Sequence, residues 1–223
     1  MSQVRIDVLM VAVPEDKFIT LLPDLLNNEK IEKAVPELLE AVKRKEAILE
    51  AFPTLITKSG QRAVMESVKE VNYPLVAPAP TPDTSSNTPD QSGSAVSTPP
   101  PTPTPAPTPP KILSFPARNA GATLEVEPVI EADGKTIDLN IYAGHVQFLG
   151  YETPAAPGKT EGTLSEEPSP ESAGSPRYYT MKTTTSVTLV SGQHMLIAIH
   201  KTIKPEGYME VFILHSEIIT AEK

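Results

Sequence analysis

Apolar and polar positions alternate from the first residues of the chain. Val4, Ile6 and Val8 stand opposite Arg5 and Asp7, the two-residue period of a half-buried strand, and from Leu9 to Val13 both faces are apolar. The pattern predicts a strand over 4–13 that starts at a sheet edge, runs into a buried position and ends at Pro14. Residues 15–28 are mixed, with Leu21, Leu22, Leu25 and Leu26 at helical spacing. From Ile31 to Ala51 the period is helical: Val35, Leu38, Leu39, Val42 and Leu49 share one stripe among charges. Pro36 suits a first helical turn, so the spacing predicts one long packing helix from there to Phe52-Pro53. Two β-prone runs over 54–72 flank Ser59-Gly60, and glycine's access to positive φ predicts a hairpin there.

The second half carries the cleanest strand signal. Leu124, Val126 and Ile130 alternate with Glu125 and Glu127, then Ile137, Leu139 and Ile141 alternate with Asp138 and Asn140. Asp133-Gly134 between the runs predicts a tight hairpin whose sheet is wet on one face. Strands resume over 179–203 around Ser191-Gly192-Gln193, and a last β-prone run covers 209–219. Residues 58–64 and 190–196 echo each other as strand, Ser-Gly-Gln, strand, which similar turn chemistry explains without duplication.

Composition changes this picture in two places. Most of the 25 prolines sit in two clusters, 77–111 (Pro-Thr repeats) and 152–177 (Pro, Gly, Ser, Glu). Neither has enough large apolar side chains to offset its ordering entropy, so both are expected to be disordered inserts in a single domain spanning 1–223. The remaining residues, roughly 160, suffice for one core. The expected fold class is α+β, mainly antiparallel sheet or sandwich with one long packing helix.

A net charge of −9 argues against a nucleic-acid partner, and Lys43-Arg44-Lys45 is hemmed in by Glu40, Glu46 and Glu50. With no cysteine there is no disulfide frame or thiolate metal site. No apolar run reaches the ~18 residues of a membrane helix, and the start has no signal-peptide core, so the expectation is a cytosolic chain or one whose signal has been removed. There is no phosphate-binding loop, dinucleotide fingerprint, His-Glu-x-x-His or nucleophile elbow. His194 and His200 would lie about 20 Å apart on a strand, too far to share a metal, and His145 and His215 read as sheet-surface residues. Glu125 and Glu127 read as solvated carboxylates. No enzyme, cofactor, metal or small-molecule substrate is expected, and candidate contact surfaces are the sheet edges and the two Ser-Gly-Gln turns.

The order of motifs resembles the core domain of the bacterial secretins, the outer-membrane rings of type II and type III secretion systems and type IV pili. The valine-rich strand to Val13 comes first, then a helix, then Pro53, Leu55, Thr57, Gly60, Gln61 and Ala63, close to a family Pro-x-Leu-x-Thr-x-x-Gly-x-x-Ala segment. Gly121, Leu124, Val126 and Pro128 follow a Gly-x-x-Leu-x-Val-x-Pro strand, with the Asp133-Gly134 hairpin after it, and Thr185, Val187, Gly192 and Gln193 follow a Thr-x-Val-x-Val-x-x-Gly-Gln pair. The Pro-Thr stretch stands where secretins insert barrel and gate strands, and proline cannot serve such strands, so the resemblance implies a gate-less form. It also implies a non-enzymatic structural or accessory component of a type II-like or type IV pilus-like assembly, in the periplasm or at the outer membrane. Its partners would be other envelope proteins or its own copies. A soluble immunoglobulin-like surface-binding module and a minimal ring-forming secretin subunit remain as alternatives.

Overall fold

The computed structural model describes residues 2–72, 75–76, 112–114, 117–153, 163–165 and 175–220. In chain order the elements are β1 (Ser2–Pro14), α1 (Glu15–Leu25), α2 (Ile31–Lys43), β2 (Ile48–Ala51), β3 (Thr54–Lys58), β4 (Ala63–Asn72), β5 (Leu75–Val76), β6 (Ile112–Ser114), β7 (Ala117–Ile130), β8 (Thr136–Thr153), β9 (Thr163–Ser165), β10 (Ser175–Val190), β11 (His194–Lys201) and β12 (Tyr208–Thr220). The 77–111 insert and most of 152–177 lie outside the described residues.

One sheet, here sheet A, runs β11-β12-β1, with β2 and β3 end to end along the far side of β1. Sheet B runs β10-β8-β7-β4, with β9 on β8, and β5 pairs with β6 as a separate ribbon. All pairings are antiparallel.

The molecule is layered helix, sheet, sheet. Val4, Ile6, Val8, Met10, Phe212 and Leu214 of sheet A meet Leu124, Val126, Ile137, Leu139 and Met181 of sheet B. The opposite face of sheet A, through Leu9, Val11, Val13, Val211 and Ile213, meets Phe18, Leu25, Ile31, Val35 and Leu38 of the helices. This explains why β1 changes pattern midway. The helices cover Leu9, Val11 and Val13, whereas Arg5 and Asp7 on the same face lie beyond them. From Val4 onward β1 is a central strand, buried more deeply than its alternating start suggests.

Two predicted elements take a different form. The single long helix from Pro36 to Phe52-Pro53 is replaced by the end of α2, a turn and β2. α2 opens five residues earlier, where Asn27 Oδ1 accepts from the Glu29 and Lys30 backbone N–H groups, and Pro36 is accommodated inside it. It closes at Lys43, after which Lys45 adopts φ +61° and the chain turns into β2, so Leu49 belongs to a strand. A second helix forms from the mixed segment at 15–25, with Glu15 and Asp16 at its positive end.

The Ser59-Gly60 turn does not close a hairpin. β3 belongs to sheet A and β4 to sheet B, so the turn carries the chain between layers. Ser191-Gly192 does the same from β10 in sheet B to β11 in sheet A. Within 152–177, Glu152 pairs with Ser175 in the β8–β10 ladder, Arg177 forms an ion pair with Glu152, and β9 pairs with the end of β8.

Candidate functional site

The two Ser-Gly-Gln turns are one device used twice. Gly60 (φ +74°) donates its N–H to the Pro128 carbonyl at 2.7 Å, and Ser59 Oγ accepts from the Ile130 N–H at 2.9 Å. Gly192 (φ +89°) donates to the Ser216 carbonyl at 2.8 Å, and Ser191 Oγ accepts from the Ile218 N–H at 2.9 Å. Gln61 and Gln193 close the turns by donating their N–H groups to Lys58 and Val190, each at 3.1 Å. The sequence echo is thus an equivalence of connection: each turn joins a flank strand of one sheet to a flank strand of the other and bonds the strand next to the second, β7 for the first turn and β12 for the second. The turns are clamped onto neighbouring strands through their Gly N–H groups and Ser hydroxyls.

The other motif residues hold this frame. The Pro53 carbonyl accepts from the Val8 N–H at 3.0 Å, bridging the break between β2 and β3, and Thr57 Oγ1 donates to the Gln61 carbonyl at 3.3 Å. Ala63 and Val187 pack on the inter-sheet core, Leu124, Val126 and Pro128 are buried, and Thr185 is half-buried. Gly121 has φ +134°, and a Cβ there would collide with the Ser67 and Val68 backbone of β4. Asp133 Oδ1 accepts the Lys135 and Thr136 N–H groups, both at 2.8 Å, and Gly134 has φ +66°. The Thr136 hydroxyl and these N–H groups hold the Asp133 carboxyl down at about 2. Of these residues Val126 and Thr185 line one open hollow on sheet B, together with Arg62, Glu125 and Asn140.

Sheet edges are the surface left open. The edges of sheet A are blunted: β2 and β3 are short and separated by Phe52-Pro53, and the β11 register shifts between Leu196 and Ala198. Sheet B ends in β4 (10 residues) and β10 (16 residues), and no described strand pairs with the outer side of either. Three successive antiparallel steps make these edges antiparallel to each other. The outward face of sheet B is polar. Ser186 Oγ donates to Asn140 Oδ1 and Thr188 Oγ1 to Asp138, with Glu125 bound to Arg62 beside them.

One polar centre lies inside. Glu210 on β12 is fully buried and bonds His145 Nδ1 of β8 at 2.8 Å, bolting the two sheets together. Glu210 Oε2, Gln147 Oε1 and His200 Nε2 are buried without a partner among the described residues. Burial pulls the His145 pKa down, but the Glu210 hydrogen bond and the Glu210 and Glu50 charges outweigh it, and the net shift is upward. Glu50 is raised by burial and by Glu210, and burial lowers His200. His145 is thus a core residue and not the sheet-surface one its sequence context suggests. Nothing in the sequence marks it as paired with Glu210, 65 residues away. Among the described residues no group of three or more His, Asp or Glu is placed to hold a metal.

No protein-family model matches the chain, and no curated protein matches it in sequence. Solved structures do. The chain is similar to ExeD of Aeromonas hydrophila (TM-score 0.45, 11% identity, covering 99% of this chain and 49% of that one). It is also similar to the InvG secretin-domain β-barrel of the Salmonella SPI-1 injectisome (TM-score 0.41, 10% identity, 100% of this chain and 63% of that one). A third is the type II secretin GspD of enteropathogenic Escherichia coli (TM-score 0.44, 11% identity, 99% and 70%). The chain spans 49% and 63% of the first two.

Proposed function

We propose that this chain is a non-enzymatic structural subunit of a secretion-type bacterial envelope assembly, acting through the open edges of sheet B. The observation that carries the reading is the contrast between the sheets. The helices cover only part of sheet A's outer face and its edges are short or irregular, whereas sheet B presents two longer edges antiparallel to each other, β10 with one register shift at Arg177/Tyr178. If β10 of one copy lies beside β4 of the next, the antiparallel order continues without interruption. The contact joins unlike surfaces and can repeat around a ring. The ordered secretin-like motifs support placing this assembly in the envelope, and the polar outer face of sheet B supports a water-facing position, periplasmic or at the outer membrane. Type II-like and pilus-like machines both suit this reading.

The absence of cysteine makes the test direct. Within one copy β4 and β10 are three strand spacings apart, about 14 Å, beyond the ~7 Å that a disulfide spans. Ser186→Cys combined in turn with Val64→Cys, Glu66→Cys or Val68→Cys therefore links only neighbouring copies. Oxidation is expected to give a covalent ladder for one register, together with an oligomeric mass by light scattering. A monomeric mass with no ladder in any register refutes the proposal.

A further inference from the structure

At one end of the chiefly apolar core between the sheets, polar side chains of three strands come together around the Glu210–His145 bond. His200 of β11 pairs opposite Glu210 of β12. Its ring packs edge-to-face on the core residue Phe212, at 5.0 Å between centroids, so it points inward as Glu210 does. Two residues beyond His145 on β8, Gln147 faces the same way. Gln147 pairs opposite Tyr179 of β10, and the Tyr179 hydroxyl donates at 2.9 Å to the carbonyl of Lys201, the residue after His200. Two bonds between the sheets, His145–Glu210 and Tyr179–Lys201, thus bracket Gln147 and His200 and bring them into one layer with Glu210.

Three atoms in this layer are shut off from solvent and have no partner among the described residues: Glu210 Oε2, Gln147 Oε1 and His200 Nε2. Glu210 itself is 0% exposed. Enclosed polar atoms are costly to leave unsatisfied, and three in one layer call for a common partner. The two oxygens only accept, so they cannot satisfy each other. Burial holds the His200 ring toward its uncharged form, in which Nε2 can carry a single N–H to donate. The layer therefore asks for a group that donates twice and accepts once. A water molecule does this, and it has the two to four polar partners that buried water requires. A metal ion does not fit, because no group of three or more His, Asp or Glu among the described residues is placed to hold one.

We infer that one water molecule is held between the sheets, donating to Glu210 Oε2 and Gln147 Oε1 and accepting from His200 Nε2. It extends the Glu210–His145 bond into a chain of hydrogen bonds that joins β8 to both β11 and β12. Water in this place leaves only when the sheets part, so its residence time reports the opening of the sandwich. The site is internal to one copy and does not depend on contacts at the edges of sheet B.

The test is relaxation dispersion of the water oxygen nucleus, which counts long-lived water molecules, on the full chain and on Gln147→Met and His200→Phe. Each replacement removes one of the three partners with little change of volume. Each folded variant should lose dispersion amplitude equivalent to one water molecule relative to the wild type. Unchanged amplitude in a folded variant overturns the proposal. The wild-type chain supplies a second measurement that needs no variant. A high-resolution crystal structure should show a density peak within hydrogen-bond distance, roughly 2.7–3.2 Å, of all three atoms. Well-ordered density for the three side chains with no such peak between them overturns it.

Discussion

The buried Glu210–His145 pair bonds one sheet to the other across the core, and it makes a sharp prediction. Glu210 is 0% and His145 6% exposed, so neither is compensated by water when its partner is removed. Breaking a buried pair from one side leaves the other charge stranded and costs about 3–5 kcal/mol, whereas replacing both members by apolar residues of similar volume is often neutral or stabilising by 1–4 kcal/mol. Glu210→Leu and His145→Leu are each expected to lower stability by about 3 kcal/mol or more, and the double variant is expected to recover most of that loss. Two further features sharpen the asymmetry. Glu210 Oε2 lacks a partner among the described residues, so the pair is incompletely satisfied to begin with. Glu50 is raised partly by Glu210, so replacing Glu210 relieves a repulsion that replacing His145 leaves in place.

Urea unfolding at one protein concentration reads this directly, since fixing the concentration keeps self-association from entering the comparison. At a slope of about 1–3 kcal/mol per molar urea, each single variant should shift the midpoint down by roughly 1–3 M. Single losses below about 1 kcal/mol, or losses that simply add in the double variant, would refute the claim that the two groups act as one buried unit.

Stability should also depend on pH through this pair. The folded-state His145 pKa lies above its ordinary value of 6.5, so its contribution is complete below 6.5 and fades as pH rises through the folded value. Glu50, raised above 4.5, acts in the same sense at lower pH, because ionising it in the folded state is disfavoured. Urea midpoints of the wild-type chain should therefore fall from pH 6.5 upward more steeply than those of the Leu–Leu double variant, and parallel curves would count against this assignment. Asp7 acts at the acid end. Burial raises its pKa, but the His215, Thr54 and Arg5 contacts outweigh burial and lower it, so its contribution is lost as pH falls below about 3.8, and Asp7→Asn should flatten the acid limb of the same curves. Gly121→Ala places a Cβ against the Val68 Cα at a φ of +134° and should cost roughly 1–3 kcal/mol in thermal or urea unfolding. Ser59→Ala and Ser191→Ala each remove one clamp bond and should cost about 1 kcal/mol apiece, additively because they share no partner.

The strands were largely legible because their period is local. The β7–β8 hairpin follows from alternation around Asp133-Gly134, whose side-chain bonds stay within three residues. Sheet membership was not legible. A tight Ser-Gly-Gln turn looks the same whether its strands pair with each other or diverge into two layers. What decides is the partner beyond the turn: Pro128 and Ile130 for the first, Ser216 and Ile218 for the second. The helix from Pro36 was misplaced because a strand along an apolar edge can mimic a helical stripe over a few residues, as Leu49 does, and because Lys45, which reverses the chain, is not a residue type that announces a left-handed turn. Of the candidate surfaces, the sequence points to sheet edges without saying which sheet leaves its edges open. The polar centre around Glu210 and His145 was not legible, because strands distant in sequence assemble it.

The crossing turns and the open edges have a common physical origin. Each Ser-Gly-Gln turn passes the chain from a strand at the flank of one sheet to a strand at the flank of the other, β3 to β4 on one side and β10 to β11 on the other. Both flanks are thereby tied across the sandwich by covalent chain, and the sheets cannot slide apart even though their facing side chains are chiefly apolar and non-directional. A flank strand held in this way keeps its fixed position while one edge of its main chain stays unpaired. Sheet A does not expose that opportunity, since the β2–β3 break and the β11 irregularity interrupt it. Sheet B retains it along β4 and β10. Edge pairing between copies requires a strand that is rigid yet unsatisfied, and the twofold use of one turn produces two such strands, antiparallel to each other and at opposite sides of one sheet.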